Sequence, residues 1–444
     1  MSDSWMTRWL GAPLDPEDAA RLWMDTPANP MIVTALLRLD GRLDFATFTE
    51  LAAARALTRD RLRARIVPLS PILRFARPRW RDDRHIEIAR HVDHVRLPPG
   101  SGEEELALAV SRIASEPLDR TRPLWRMWLI DGGRGPSSIA VRIHHVIADG
   151  VALLGILYGF SDEGAGVTLP ARPTPTRART PRDRSFSREG LAHRASGLVR
   201  MARLAGRPAD TRAALTGRPH GEKALAWSTA FDVESVRGAA HRAGAHVNDV
   251  VLGALAGAVR MLVVTRGEHP PREQVHALVP VALPHQDGAL GNRYASMFVR
   301  LPIEVADPIA RVTAARAAMQ AARAQAGVEV GRSLVSAAYA LGAHIEHVGV
   351  RLLSHKASLV VSNVAGPTEP LHVGGRRLTS IAFASPTCGS LALSASAFSY
   401  AGALRVTIAT DTAVMPDPWP FARLFEEEMR KTIAALLGAA PGPA

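Results

Sequence analysis

SIAVRIHHVIADG, residues Ser138–Gly150, decides how the rest of the chain is understood. In an extended segment, side chains two apart share a face. Ile139, Val141, Ile143 and His145 therefore point one way, and Ala140, Arg142 and His144 the other. His145 closes an apolar row, which puts it at an interior or an interface, whereas His144 shares its face with a charge. Asp149 follows four residues on, then Gly150 and the helix-like run VALLGILYGF. Two accounts fit these residues. In one, the strand ends in a polar turn, Asp149 caps the next helix and His145 is an ordinary core histidine. In the other, the turn holds an imidazole for chemistry at the end of the strand.

Working outward, Leu124–Asp131 and Ser138–His145 are predicted to form an antiparallel hairpin about Gly132-Gly133-Arg134-Gly135-Pro136. Met31–Gly41 reads as a strand, Phe45–Leu57 as an alanine-rich helix, and Arg65–Val67, Leu73–Phe75 and Trp80–Ile88 as strand or loop pieces. Glu103–Ser115 places Leu106, Val110 and Ile113 at helical spacing, with acids in its first turn where the helix dipole favours them. Beyond residue 223, Phe231–Arg242, Asn248–Val264 and Trp419–Leu437 are predicted helices, with Asn248 a candidate N-cap. Asp307-Pro308 opens another helix, to about Ala326, with Asp as cap and Pro in the first turn. Val275–Val281, Ala295–Leu301, Leu359–Asn363, Arg377–Phe383, Leu391–Tyr400 and Ala403–Thr410 read as strands. Strands and helices mixed through both halves predict an α+β protein.

The chain has 444 residues, enough for two domains of about 200 residues each. The expected division is residues 1–165, a basic connecting segment 166–222, and residues 223–444. The net charge is +12. Residues 165–222 carry twelve arginines against Asp183, Glu189, Asp210 and Glu222, a local excess of 12 − 4 = +8. Leu169–Arg188 is Pro/Thr/Arg-rich and reads as a linker. In Glu189–Gly206 an alanine-rich apolar stripe (Leu191, Ala195, Leu198, Ala202, Ala205) faces His193, Arg200 and Arg203. That is either a docked surface helix or an interfacial helix on an anionic membrane or lipid droplet. Nucleic acid is not the expected partner, since no nucleic-acid module and few aromatics are present.

The N-terminus lacks the basic and apolar regions of a signal peptide, and no stretch of about 18 uninterrupted apolar residues occurs. The only cysteine, Cys388, is expected to be a small buried hydrophobe in a protein of the reducing cytosol. The expected location is cytoplasmic, peripheral on the inner membrane or lipid droplets. No GxSxG elbow, Walker loop or GxGxxG fingerprint supports a hydrolase, NTPase or dehydrogenase, and no ligand spacing supports a metal site.

His144-His145-Val-Ile-Ala-Asp149-Gly150 resembles the HHxxxDG signature of the coenzyme A-dependent acyltransferases, which include chloramphenicol acetyltransferase and peptide-synthetase condensation domains. Further blocks resemble the bacterial wax ester synthase/diacylglycerol acyltransferase family, in that family's order and over nearly the whole chain. They are DTPANPMIVTA (Asp25–Ala35), WRDDRHIEIARHVDHVRLP (Trp80–Pro98), PLDRTRPLW (Pro117–Trp125), NDVVLGALAGAVR (Asn248–Arg260), LVPVALP (Leu278–Pro284), GALGNRYASMFVRLP (Gly288–Pro302) and SNVAGP (Ser362–Pro367).

The resemblance implies two chloramphenicol-acetyltransferase-like domains, each a mixed sheet with helices, around a central channel. It implies that His145 removes the acceptor hydroxyl's proton as that oxygen attacks an acyl thioester, with no acyl-enzyme. It also implies that His144 belongs to the catalytic motif, that Asp149 holds the loop so that His145 keeps its tautomer and aim, and that Gly150 permits a tight backbone. Asn248 and Asp249 would lie at the channel, with Asn248 on the substrate or oxyanion. Ser362, Asn363 and Gly366 would shape the substrate pocket, and Trp125 would pack beside it. Acyl-CoA is the implied co-substrate, a lipid alcohol or diacylglycerol the acceptor, and no bound cofactor or metal is expected.

Where the family block reads NVPGP this chain has Asn363-Val364-Ala365-Gly366-Pro367, which predicts a looser turn and leaves the acceptor open. A specialised-metabolite or glycolipid hydroxyl is the alternative acceptor. The non-enzymatic alternative is a lipid-droplet or membrane-binding protein that kept only the fold, against which the intact motif argues.

Overall fold

The computed structural model describes residues 11–68, 78–83, 85–132, 135–164, 210, 215, 217–267, 269–270, 274–282, 294–326 and 354–438. The first half runs through β1 (Ala12–Pro13), α1 (Pro16–Met24), β2 (Ile32–Leu39), α2 (Phe45–Ala56), α3 (Asp60–Arg63) and β3 (Ala64–Val67). It continues with β4 (Arg79–Asp82), β5 (Val92–Arg96), α4 (Glu103–Ser115), β6 (Trp125–Asp131), β7 (Ser138–His144) and α5 (Gly150–Phe160). The second half opens with β8 (Lys223–Trp227), β9 (Phe231–Asp232), α6 (Val233–Arg242), α7 (Val247–Thr265), β10 (His276–Ala282), β11 (Tyr294–Arg300) and α8 (Pro308–Ala326). It ends with β12 (Leu359–Ala365), β13 (His372–Val373), β14 (Arg376–Ala384), β15 (Leu393–Tyr400), β16 (Ala403–Asp411) and α9 (Trp419–Leu437).

The α+β reading holds, and the two large sheets are mixed. They are ordered β13-β14-β2-β7-β6-β5 and β11-β10-β12-β15-β16-β8 with β9 paired to β16, and a small third, β1-β4-β3, is antiparallel. β5–β6, β10–β12 and β12–β15 are parallel pairs, and the remaining pairs are antiparallel. The predicted hairpin is present, with Trp125 opposite Ile143 and Ile130 opposite Ser138. Alternation along β7 sorts its side chains as expected. Ile139 and Ile143 enter a core with α2 and α5, while Ala140 enters a separate core with α4. Arg142 lies on that second face, and its buried guanidinium donates to Ala114 O and Glu116 O at the end of α4. A cation there offsets the helix's exposed carbonyls, while burial pulls the Arg142 pKa down to about 10.

The two halves are not contiguous in sequence. β14 belongs by position to the second half, yet it pairs along β2 in the first sheet, with Ile381 opposite Leu37 and Phe383 opposite Ala35. A boundary at residue 223 therefore misses a crossover that returns the chain to the first sheet and back. Asn29 seals the junction. Its amide donates to Gly389 O (2.9 Å) and Leu391 O (2.8 Å), and its oxygen accepts from Lys223 Nζ (2.9 Å) and Thr387 Oγ1 (2.8 Å). All four hydrogen-bonding positions of a fully buried amide are thus filled.

α4 carries Leu106, Val110 and Ile113 inward as its spacing predicts, and Asp307 caps α8 through Ala310 N–H at 2.7 Å. The cap of α7 differs from the expectation. His246 is the N-cap residue, and the buried Asp249 carboxylate reaches back to its N–H at 2.9 Å, which leaves Asn248 inside the first turn. α7 is long and apolar enough to cross a membrane by length and composition, but it is largely buried between α8 and α9. Cys388 is buried as expected, and burial pushes its thiol up to about 11. Leu73–Phe75, the Leu169–Arg188 linker and the Glu189–Gly206 helix lie outside the described residues.

Candidate active site

β7 ends at His144, and residues 145–147 turn back so that Ile147 N–H donates to His144 O at 2.9 Å. His145 N–H donates to Met31 O at 2.7 Å, anchoring the turn to the start of β2. The two histidines differ in what surrounds them. His144 is 2% exposed. Its Nδ1 accepts from Val146 N–H at 3.0 Å, so the proton sits on Nε2, which donates to Asp25 Oδ2 at 3.2 Å. Asp25 also accepts from Met31 N–H at 2.9 Å and pairs with Arg120. His144 is thereby a fixed neutral strut. His145, one residue on, is only partly buried.

The turn has a second brace that sequence reasoning missed. Arg61 Nη1, from α3, donates to Val146 O at 3.1 Å and Ile147 O at 3.3 Å. The same nitrogen lies 2.8 Å from the buried Asp18 carboxylate, and the guanidinium sits over the Trp80 ring at 5.0 Å. One nitrogen thus fixes two carbonyls directly after His145 while the guanidinium plane lies on the Trp80 ring, a stacking that a lysine ammonium does not reproduce. Arg61→Lys is expected to lower kcat about 10- to 100-fold with KM for acyl donor little changed, because a misaimed base loses rate rather than binding. Free guanidinium should restore part of the rate to Arg61→Gly. A KM-only defect would count against this brace.

Asp149 caps α5, its Oδ1 accepting from Ala152 N–H at 3.0 Å. The sequence that follows is apolar on nearly every side, although Leu153, Leu154, Ile156 and Leu157 are only partly buried. Gly150, Leu153, Leu154, Leu157 and Phe160 form one face of α5 and line a cavity of about 710 Å³, mouth included, against the first sheet. None of its sixteen lining residues carries a polar side chain. Val364 and Phe398 reach it from the second sheet, so both halves build it. Gly150 was expected to permit a tight backbone. A Cβ there would meet only Val364 Cγ2, at an ordinary 3.7 Å, so its missing side chain instead leaves space in the cavity.

The pattern described as Wax ester synthase/diacylglycerol acyltransferase catalytic domain matches residues 14–251, and that of the WS/DGAT C-terminal domain matches residues 290–432. The chain belongs to the wax ester synthase/diacylglycerol acyltransferase family. Two Mycobacterium tuberculosis proteins named as diacylglycerol O-acyltransferases are similar to it. One is 29% identical over 94% of this chain and 89% of its own length, the other 27% identical over 86% of each. The solved wax ester synthase/diacylglycerol acyltransferase of Marinobacter aquaeolei shares the fold, with a TM-score of 0.69, 22% identity, and coverage of 96% of this chain and all of that one. So does the first condensation domain of the calcium-dependent antibiotic synthetase, with a TM-score of 0.63, 16% identity, and coverage of 98% and 97%. The paired acyltransferase-like domains expected from HHxxxDG are therefore present.

The remaining wax ester synthase-type blocks fall unevenly about this site. Ser362 is buried on β12 and shares a face with Val364, and its Oγ lies 2.6 Å from Ser385 Oγ. Asn363 and Ala365 point the opposite way and are exposed. The turn is not loosened at Ala365. The strand pairs through Ala365 with Ser399, Gly366 N–H donates to Ser399 O at 2.9 Å, and Ala401 N–H donates to Pro367 O at 3.0 Å. Gly366 is required there because a Cβ would fall 2.5 Å from the Phe398 ring and Ser399 O.

Trp125 is a core residue rather than a pocket wall. It is fully buried, its Nε1 donates to Leu62 O at 2.7 Å, and its ring stacks 4.4 Å from His91. Met127, two residues on, lines the cavity in its place. Asp249 is occupied as the helix cap, and Asn248 is left partly exposed beside it. Asp25 and Asn29 lie in a block read from sequence only as resemblance. Their function became visible once His144 and the domain junction supplied their partners.

Proposed function

We propose that this protein transfers a fatty acyl group from acyl-CoA to the hydroxyl of diacylglycerol or a long-chain alcohol, with His145 as general base. The observation that carries this reading is an all-apolar cavity of about 710 Å³, mouth included, next to a turn whose first histidine is locked and whose second is partly open. His145 accepts the hydroxyl proton as the acceptor oxygen bonds to the thioester carbonyl carbon. The tetrahedral intermediate then collapses, the carbon–sulfur bond breaks, and the imidazolium returns the proton to the leaving thiolate. The products are the ester and free CoA, and an imidazole, which can both accept and return a proton, suits both transfers. Asn248 is the proposed hydrogen-bond partner of the substrate or its oxyanion. No metal or bound cofactor enters these steps.

We further propose that the protein works from the cytoplasmic side at an anionic membrane or droplet surface. The +8 excess of residues 165–222 supports this. The test presents palmitoyl-CoA with diacylglycerol, hexadecanol or a soluble glycoside acceptor, free or in vesicles containing anionic lipid, and follows CoA release. Turnover with the lipid acceptors, weakened on vesicles by salt or by deleting residues 169–206, which spares the buried Asp210 and Leu215, is the expected result. Turnover with the glycoside alone would overturn the acceptor assignment, and none with any hydroxyl would overturn the activity. Salt-insensitive vesicle activity would remove the electrostatic part.

A further inference from the structure

The cavity beside α5 is a slot with one closed end, and its depth can be measured twice from the backbone. Along α5 it runs from Gly150 to Phe160, ten residues, or about 15 Å at the helical rise. Along β2 it runs from Val33 through Ala35 to Leu37, four residues, or about 14 Å at the strand rise. The direction is fixed by register. Val33 pairs with Ile143, two residues before His145, whereas Leu37 pairs with Ile139 and Ile381 at the far end.

The far end is shut. Leu37, Ile381 and Phe160 there are 2%, 4% and 5% exposed. Behind Phe160, Asp162 N–H donates to His372 O at 2.7 Å, and the Asp162 carboxylate accepts from Gly374 N–H (3.1 Å), Gly375 N–H (2.8 Å) and Arg55 (2.6 Å). This hydrogen-bonded plug gives a hydrocarbon chain no exit past Phe160.

We infer that this slot is a length gauge for one linear hydrocarbon chain, with Phe160 as its floor and Ala35 as the small residue that keeps its middle open. This rests on the proposed acyl transfer and adds the part of the substrate the site selects. A saturated chain with bonds of about 1.5 Å and angles near 111° advances about 1.25 Å per carbon, so the slot holds about 12 carbons. The carbons nearest the reacting group lie outside it, which places the preferred chain at about C12–C14. Longer chains must fold back or leave carbons at the mouth, and they forfeit the burial of about 0.8 kcal/mol per methylene that drives entry. The chain belongs either to the acyl donor or to the alcohol, and the two are separable by experiment.

Two ladders test the gauge, acyl-CoAs from C8 to C20 with one alcohol and alcohols of the same range with one acyl-CoA, each read as kcat/KM. The wild type should peak near C12–C14 on one ladder and stay flat on the other, which identifies the gauged substrate. Phe160→Ala should move that peak up by about two to four carbons, and Ala35→Leu, filling the middle, should move it down by a similar amount. Thermal shift with free fatty acids and fatty alcohols of each length reports occupancy without turnover and should show the same peak and displacements. If both variants keep the wild-type length profile in turnover and in thermal shift, the gauge is wrong while the acyl transfer stands. If turnover is absent but the length-dependent thermal shift moves with the variants, the slot binds chains as inferred and the proposed reaction fails.

Discussion

Alanine at His145 is expected to lower kcat by about 10²- to 10⁴-fold, the range general acid–base groups supply, with the melting temperature nearly unchanged. The two halves of this expectation come from the same geometry. His145 is partly open, and its backbone N–H, which any residue provides, makes the bond to Met31 O. His144→Ala should behave in the opposite manner. That imidazole is buried between Val146 N–H and Asp25, so its loss leaves a 6%-exposed carboxylate short of a donor and the turn short of an acceptor. A stability loss of about 1–3 kcal/mol is expected, with the activity of the folded fraction reduced but not abolished. Free-CoA release and thermal melts on both variants separate the roles. His145→Ala retaining more than a tenth of wild-type kcat would remove it as the base, and the reverse pattern would show that the two histidines have been exchanged.

Sequence periodicity carried far along the chain because most elements bury one face. Alternation in Ser138–His145 correctly sorted Ile139 and Ile143 from Ala140 and Arg142, and helical spacing placed Leu106, Val110 and Ile113 inward. Alternation does not say which sheet a strand joins. Arg377–Phe383 read as a strand, but the partner of that strand lies more than 330 residues away in β2, and no local signal encodes that pairing. The helix cap at 246 was missed because histidine is a poor side-chain cap. There the reciprocal bond from Asp249, three residues on, carries the cap. Arg61 was illegible for a different reason. In sequence it is one of several arginines in DRLRAR, and only folding brings Asp18, Trp80 and two carbonyls of the His145 turn around it. Trp125, expected to pack beside the pocket, is held in the core by its bond to Leu62 O, and Met127 takes the lining position.

The second large effect lies far from His145, in the packing of α7. Arg311 on α8 and Glu428 on α9 form an ion pair with side chains 2% and 9% exposed, next to the GALAG run Gly253–Gly257. Arg311 Nε donates to Gly253 O at 2.8 Å and its Nη1 to Ala306 O at 3.2 Å. The glycines are the reason the pair fits. A Cβ on Gly257 would strike both Glu428 Oε2 and the Arg311 guanidinium, and one on Gly253 would lie 2.8 Å from Val312 Cγ2. Burial lowers the Arg311 pKa, and the Glu428 carboxylate opposes that fall. Arg311→Met keeps the volume but leaves Glu428 buried with only Lys431, 3.2 Å away, to answer it, and strips the donor from two carbonyls. A loss of about 3–5 kcal/mol is expected, or a fall in melting temperature of about 6–20 °C. Arg311→Met combined with Glu428→Leu removes the stranded charge along with its partner, so it should lose less than Arg311→Met alone. Single variants that melt within about 2 °C of wild type would mean that water or Lys431 already compensates Glu428. A double variant worse than either single would mean that the pair is a net source of stability rather than a charge that must be answered. Gly257→Ala probes the same contact from the opposite side. It adds one methyl to a helix and should still destabilise, because the atoms it displaces are the charged ends of the pair.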